Sequence, residues 1–94
     1  MNRRKYVSQS ILYGLIQHSL DGMEDFSKEQ LARLGKAIRA ERRRQDISQT
    51  KLGYMIGADQ TYVSRLEAGR YNIQYRKLCK IAEALGVDVA DLVR

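Results

Sequence analysis

The sequence predicts an all-α protein, and three observations carry that expectation. Apolar residues recur at three- and four-residue steps in one stretch after another: Val7 to Leu20, Leu31 to Ile38, Leu52 to Ile56, Val63 to Leu66 and Leu78 to Leu85. Helix-starting and helix-stopping residues stand between them, with Ser27, Ser48, Asp59 and Asp88 at the starts and Gly57, Gly69 and Gly86 at the ends. No proline interrupts any of these stretches, and 94 residues suit one small domain with one modest core.

Residues 1–5 are polar and basic. From Tyr6 to about Leu20, Val7, Ile11, Leu12, Leu15, Ile16 and Leu20 form an amphipathic helical pattern. Gly14 and Ser8-Gln9-Ser10 weaken that helix, and Asp21-Gly22 is expected to end it. Its apolar face has to be covered by its own domain, by a second copy or by a different protein. His18 has no ligand-like company and is expected at the surface. Residues 1–26 therefore read as an N-terminal extension, and residues 27–94 as the domain proper.

A second helix start follows. Ser27 is placed as N-cap with Gln30 three residues on, and Phe26 and Leu31 can close a hydrophobic staple across it. This helix is expected to run to about Gln45. Leu31, Leu34 and Ile38 with Ala37 form its apolar stripe, and Arg42-Arg43-Arg44 suit the negative end of its dipole.

The stretch from Ser48 to Gly69 reads as two short helices with a tight turn between them. Ser48 opens the first and Ile47 with Leu52 staples it, while Gln49 presents an amide at its first turn, where a phosphate could be bound. Gly53 stands where the second helix would cross closely, so a small residue is required there. Gly57 can take the left-handed conformation that ends the first helix. Asp59 can cap the second, which runs to Ala68 with Val63 and Leu66 on its buried stripe. This is a helix-turn-helix pattern. The opposite side of the second helix carries Thr61, Ser64, Arg65 and Ala68, with Gln60 at its N-terminal end. That face is either plainly solvated or a surface that reads base edges.

After the loop Arg70-Tyr71-Asn72-Ile73, Leu78, Ile81, Ala82 and Leu85 define a helix ended by Gly86. Asp88 and Asp91 then open a short last helix with Leu92 and Val93. Cys79 reads as partly buried filler; a single cysteine forms no internal disulfide and no zinc cluster, so the cytoplasm is the expected compartment. No apolar run reaches membrane-spanning length, and neither a signal peptide nor a membrane helix is expected. One histidine, one cysteine and no clustered acid–base or metal constellation argue against an enzyme and imply no cofactor and no metal. The formal charge is +6. Arg3, Arg4 and Lys5 balance Asp21, Glu24 and Asp25, so the whole excess lies in residues 27–94, the electrostatic footprint of a polyanion binder.

From about Leu34 to Val93 the chain resembles the lambda-repressor-like family of helix-turn-helix regulators, the Cro and C1 (XRE) type. The shared features are Gly35…Ile38-Arg39…Arg42, Ile47-Ser48-Gln49…Leu52…Ile56-Gly57, Val63-Ser64…Glu67…Gly69 and Leu78…Ile81-Ala82…Leu85-Gly86-Val87…Leu92. Asp59 to Ser64 and Arg70 to Ile73 look most like the small controller proteins of phage and restriction–modification systems. Three residues depart from the usual pattern: Gly53 replaces alanine, Asp46 replaces glycine and Ile73 replaces proline.

The resemblance implies a five-helix domain, here with an additional N-terminal helix, that binds double-stranded DNA with residues 59–68 as recognition helix. It implies base contacts from Gln60, Thr61 and Arg65, with Tyr62 and Ser64 flanking them, and phosphate contacts from Gln49, Arg70 and Tyr71. Arg42 and Glu67 match an arginine–carboxylate pair of structural role. The expected function is a transcriptional regulator, a repressor or autoregulator acting as a homodimer through the last helix, the N-terminal helix or both. The alternative is an antitoxin or interaction module whose N-terminal helix grips a partner protein.

Overall fold

The computed structural model describes the backbone of residues 9–94 and the side chains of residues 27–94. Five helices follow one another: α1 (Gln9–Arg44), α2 (Gln49–Met55), α3 (Gln60–Glu67), α4 (Tyr75–Leu85) and α5 (Val89–Val93). The described residues contain no strand.

The largest departure from the sequence reading is α1. Its backbone is helical without interruption from Gln9 to Arg44, so Asp21-Gly22 does not end a helix and Ser27 is an interior residue rather than an N-cap. A glycine inside a helix costs only about 1 kcal/mol relative to alanine, and the turns on either side can carry that cost when no proline removes a donor. The expected extension and the first helix of the domain are thus one rod. Residues 6–8 and the side chains of Phe26 and His18 lie outside the described residues.

The other elements start and stop for local reasons. Ser48 Oγ accepts the Lys51 N–H at 2.9 Å and opens α2. Asp59 Oδ1 accepts the Tyr62 N–H at 2.8 Å and opens α3. The Asp91 carboxylate takes the Asp88 N–H at 3.1 Å at the start of α5. Gly86 closes α4 in the left-handed region.

Asp46, between α1 and α2, is the one described non-glycine residue at positive φ (59°), where a β-carbon crowds the backbone. Replacing Asp46 by glycine relieves that strain and gives back some of it as unfolded-chain entropy. The expected net gain is a few tenths to about 1 kcal/mol, read as a higher urea midpoint with an unchanged slope.

The core gathers one or more side chains from every helix: Leu34 and Ile38 from α1, Leu52 from α2 and Ile56 after it, Val63 and Leu66 from α3, Leu78, Ile81, Ala82 and Leu85 from α4, and Leu92 from α5. Gln45 pins the end of α1 to the end of α4 by donating to the Leu85 carbonyl at 2.5 Å.

α2 and α3 meet so closely that a β-carbon built on Gly53 would lie 2.7 Å from the backbone carbonyl of Asp59. Sequence reading requires a small residue there; the structure leaves no space even for a methyl group. Gly53→Ala is therefore expected to destabilise the domain by about 1–3 kcal/mol through forced repacking, against a gain in helix propensity of at most about 1 kcal/mol. A stabilised Gly53→Ala variant in chemical denaturation would contradict this packing.

Candidate nucleic-acid interface

The placement of α3 is set by its junction with α1. A β-carbon on Gly35 would come within 2.5 Å of the Glu67 carbonyl oxygen, so the absent side chain is what lets α1 lie against the C-terminal end of α3. Next to that contact, Arg42 and Glu67 form a buried two-pronged ion pair. Arg42 Nε donates to Glu67 Oε2 at 2.6 Å and Nη2 to Oε1 at 3.0 Å, with side-chain exposures of 9% and 3%. The third arm, Nη1, donates to the Ile47 carbonyl at 2.7 Å and so fixes the turn before α2.

Burial alone would push the Glu67 carboxyl up. The hydrogen bonds from Arg42 and Gln49, with the positive charges of Arg42 and Arg39, more than reverse this and hold it below the ordinary carboxylate range.

From this pair a chain of hydrogen bonds runs to the surface. Gln49 Nε2 donates to Glu67 Oε1 at 3.0 Å, and Gln60 Nε2 donates to Gln49 Oε1 at 2.7 Å. Each amide nitrogen carries two hydrogens, so Gln49 keeps one N–H for an external acceptor and Gln60 keeps one N–H together with its carbonyl oxygen. The N-terminal ends of α2 and α3 are thereby held side by side. Gln60 presents the donor–acceptor pair that matches an adenine edge, and Gln49 presents a donor suited to a phosphate oxygen.

One turn along, Thr61 and Arg65 are exposed and separated by four residues, so they share one face of α3. Arg65 Nη1 reaches the Tyr71 hydroxyl at 3.4 Å. Tyr71 stacks on Tyr62, with ring centroids 5.0 Å apart at 29°, and Lys77 Nζ lies 5.6 Å from the centre of the Tyr62 ring. Lys77 also donates to the Ile56 carbonyl at 3.4 Å. Burial, with a contribution from Tyr71, pushes the Tyr62 phenol up, so it stays protonated under ordinary conditions. This cluster ties the loop after α3 to its flank and sets Arg65 beside it. Among the described residues no group of His, Cys, Asp and Glu could hold a metal ion, and no described helix is long and apolar enough to cross a membrane.

Two short helices locked at a close crossing, with the second presenting a polar face, form a helix-turn-helix, and the family model of that description matches residues 38–92. The chain belongs to the Cro/C1-type helix-turn-helix family. Solved structures agree with that placement. The restriction–modification controller protein C.AhdI from Aeromonas hydrophila is 29% identical, with a TM-score of 0.66 over 69% of this chain and 94% of that one. The hypothetical transcription factor NHTF from Neisseria is 35% identical, with a TM-score of 0.67 over 72% and 78%. The clp gene regulator ClgR from Corynebacterium glutamicum is 30% identical, with a TM-score of 0.65 over 67% of each chain. A comparison with curated protein sequences gives no match.

In this helix-turn-helix protein the residues singled out from sequence fall into two groups. Gln49, Gln60, Thr61 and Arg65 lie together along the N-terminal edge of α2 and the outer face of α3, with half-buried Ser64 beside them. Tyr62 and Tyr71 are half-buried and stacked on each other, so their rings line the flank of α3, while Arg70 is exposed at its end. Two participants escaped the sequence reading: Lys77, which covers the Tyr62 ring, and the link from Gln49 to Glu67. Neither leaves a local signal, because both depend on the path the chain takes between distant positions.

Proposed function

We propose that this protein binds duplex DNA sequence-specifically by laying the exposed face of α3 in the major groove, in a binding role without catalysis. It is a DNA-binding transcriptional regulator. The observation that carries the docking mode is the side-by-side seating of Gln49 and Gln60 on the buried Arg42–Glu67 pair, since it leaves a phosphate donor and a base-reading amide at one preset spacing. Gln60, Thr61 and Arg65 read bases, with Tyr62 and Ser64 bordering them. Gln49, Arg70 and the Tyr71 hydroxyl set position on the backbone.

One such module covers only about 600–1,000 Å², so useful specificity calls for a homodimer on half-sites about 34 Å apart. C.AhdI is a restriction–modification controller, ClgR a gene regulator and NHTF a hypothetical transcription factor, which supports control of transcription by this chain, here read as autorepression in the cytoplasm.

The test is a fluorescence-anisotropy titration of the protein against the DNA just upstream of its own gene and against a scrambled duplex, each at several salt concentrations. Tighter binding of the upstream DNA is expected, with affinity for both falling as salt rises. Arg70→Ala should weaken both duplexes alike and flatten the salt slope by about 1. Identical binding of the two duplexes would contradict autoregulation.

A further inference from the structure

Outside the helix-turn-helix, α1 carries a basic stripe. Lys36, Arg39 and Arg43 are exposed and follow one another at three- and four-residue steps, so they share one side of the helix. Like charges at that spacing repel each other and weaken a helix. The neighbouring arginines are matched, Arg42 by Glu67 and Arg44 by Glu41. Lys36, Arg39 and Arg43 have no acidic partner among the described residues.

Within the stripe, Arg39 stands at the junction that seats α3. It lies one turn beyond Gly35, whose missing side chain lets α1 rest on the Glu67 carbonyl, and one turn before Arg42, which grips the Glu67 carboxylate. Fully buried Ile38 lies on the core side of that contact line and Arg39 on the solvent side. The charge of Arg39 reaches the Glu67 carboxyl and helps to keep it ionised. Since Arg42 already neutralises Glu67, a positive charge is left over at this point. Glu67 is also the acceptor that holds Gln49, so the surplus charge stands beside the Gln49 amide.

Two turns earlier on α1, within about 20° of Arg39 round the helix, Ala32 meets the end of α3. A β-carbon on Gly69 would lie 2.9 Å from the Ala32 α-carbon, and Arg70 follows directly. The side of α1 that carries Arg39 is thus bordered by Gln49 at one end and by Arg70 at the other.

From this we infer that Arg39 is a further phosphate-binding residue, which joins Gln49 and Arg70 on one stretch of DNA backbone, with Lys36 and Arg43 adding attraction on either side. A guanidinium suits that role, because its forked donors match two oxygens of one phosphate. The DNA-facing surface then extends past the helix-turn-helix onto α1. The inference rests on the docking mode proposed above and adds a contact to it.

The test repeats the anisotropy titration with the full chain carrying Arg39→Gln or Arg44→Gln. Each variant removes one positive charge, but Arg44 lies about 140° from Arg39 round α1. Arg39→Gln should weaken the upstream and the scrambled duplex alike, about five- to tenfold in about 0.1 M salt, and flatten the salt slope by about 1, with the circular dichroism of a folded domain retained. Arg39→Lys should recover the slope. Arg44→Gln should change affinity by less than about twofold, since its charge is screened from the duplex. Equal effects of the two glutamine variants would reduce Arg39 to a share of the net charge and overturn the contact. A loss confined to the upstream duplex would make Arg39 a base reader and overturn it too. An Arg39→Gln variant without effect, beside an Arg70→Ala variant that does flatten the slope, would overturn the α1 contact and leave docking through α3 standing. If neither variant had any effect, both readings would fall.

Discussion

Replacing Glu67 by alanine is expected to lower the unfolding free energy by about 3–5 kcal/mol, because it strands the buried Arg42 guanidinium without its carboxylate. A domain of this size has about 5–15 kcal/mol in all, so the variant should lose a large share of its stability. Its denaturation midpoint should fall accordingly in urea. The loss also reaches the site, since Gln49 donates to Glu67 and Gln60 to Gln49.

The same pair predicts a pH dependence. The folded-state pKa of Glu67 lies below its ordinary value near 4.5, so the unfolded chain takes up a proton at a higher pH than the native state does. The stabilisation is present in full above the unfolded-state value and is lost as pH falls through the folded-state value. Wild-type stability should therefore drop as the pH is lowered below about 4.5, and Glu67→Gln should show a shallower drop there. An alanine variant within about 0.5 kcal/mol of wild type, the range of ordinary surface substitutions, would contradict the account of this junction.

The second large effect is on recognition. Arg65 is exposed on the outer face of α3, and the only polar tie of its side chain among the described residues is the 3.4 Å contact with the Tyr71 hydroxyl. Its forked donors can therefore reach the O6 and N7 acceptors of a guanine. Arg65→Ala is expected to cost about 1–3 kcal/mol on the preferred duplex, roughly 5- to 150-fold in affinity, and far less on a scrambled one. Arg65→Lys keeps the charge but not the planar fork, so it should restore salt-dependent binding without restoring the preference. Equal losses on both duplexes would reduce Arg65 to a backbone contact.

Much of this was legible in the sequence because it is local. The caps at Ser48 and Asp59 and the core stripe through Leu34, Ile38, Leu52, Val63, Leu66 and Ile81 each follow from residues a few positions apart. Asp46 at positive φ was legible only through the resemblance, in which glycine is usual at this position, and aspartate is among the few residues that tolerate that region. The continuity of α1 was not, because Asp21-Gly22 and Ser27 carry stop and start signals whose strength is comparable with that of a single helical turn. The stacking of Tyr62 on Tyr71 under Lys77 was hidden for another reason: it depends on how the loop after Gly69 folds back across α3. The distance of closest approach at Gly53 is likewise a property of two packed helices, and composition alone distinguishes only small residues from large ones there.

The most direct test of the central claim is an amide chemical-shift titration of the isotope-labelled protein with its preferred duplex. Docking through α3 predicts that the largest shifts fall on Gln49 at the start of α2, on Gln60, Thr61, Ser64 and Arg65 along α3, and on Arg70 and Tyr71 after it, while the α5 residues Val89 to Val93 shift least. Shifts concentrated on α4 or on the N-terminal half of α1, with α3 unmoved, would contradict it.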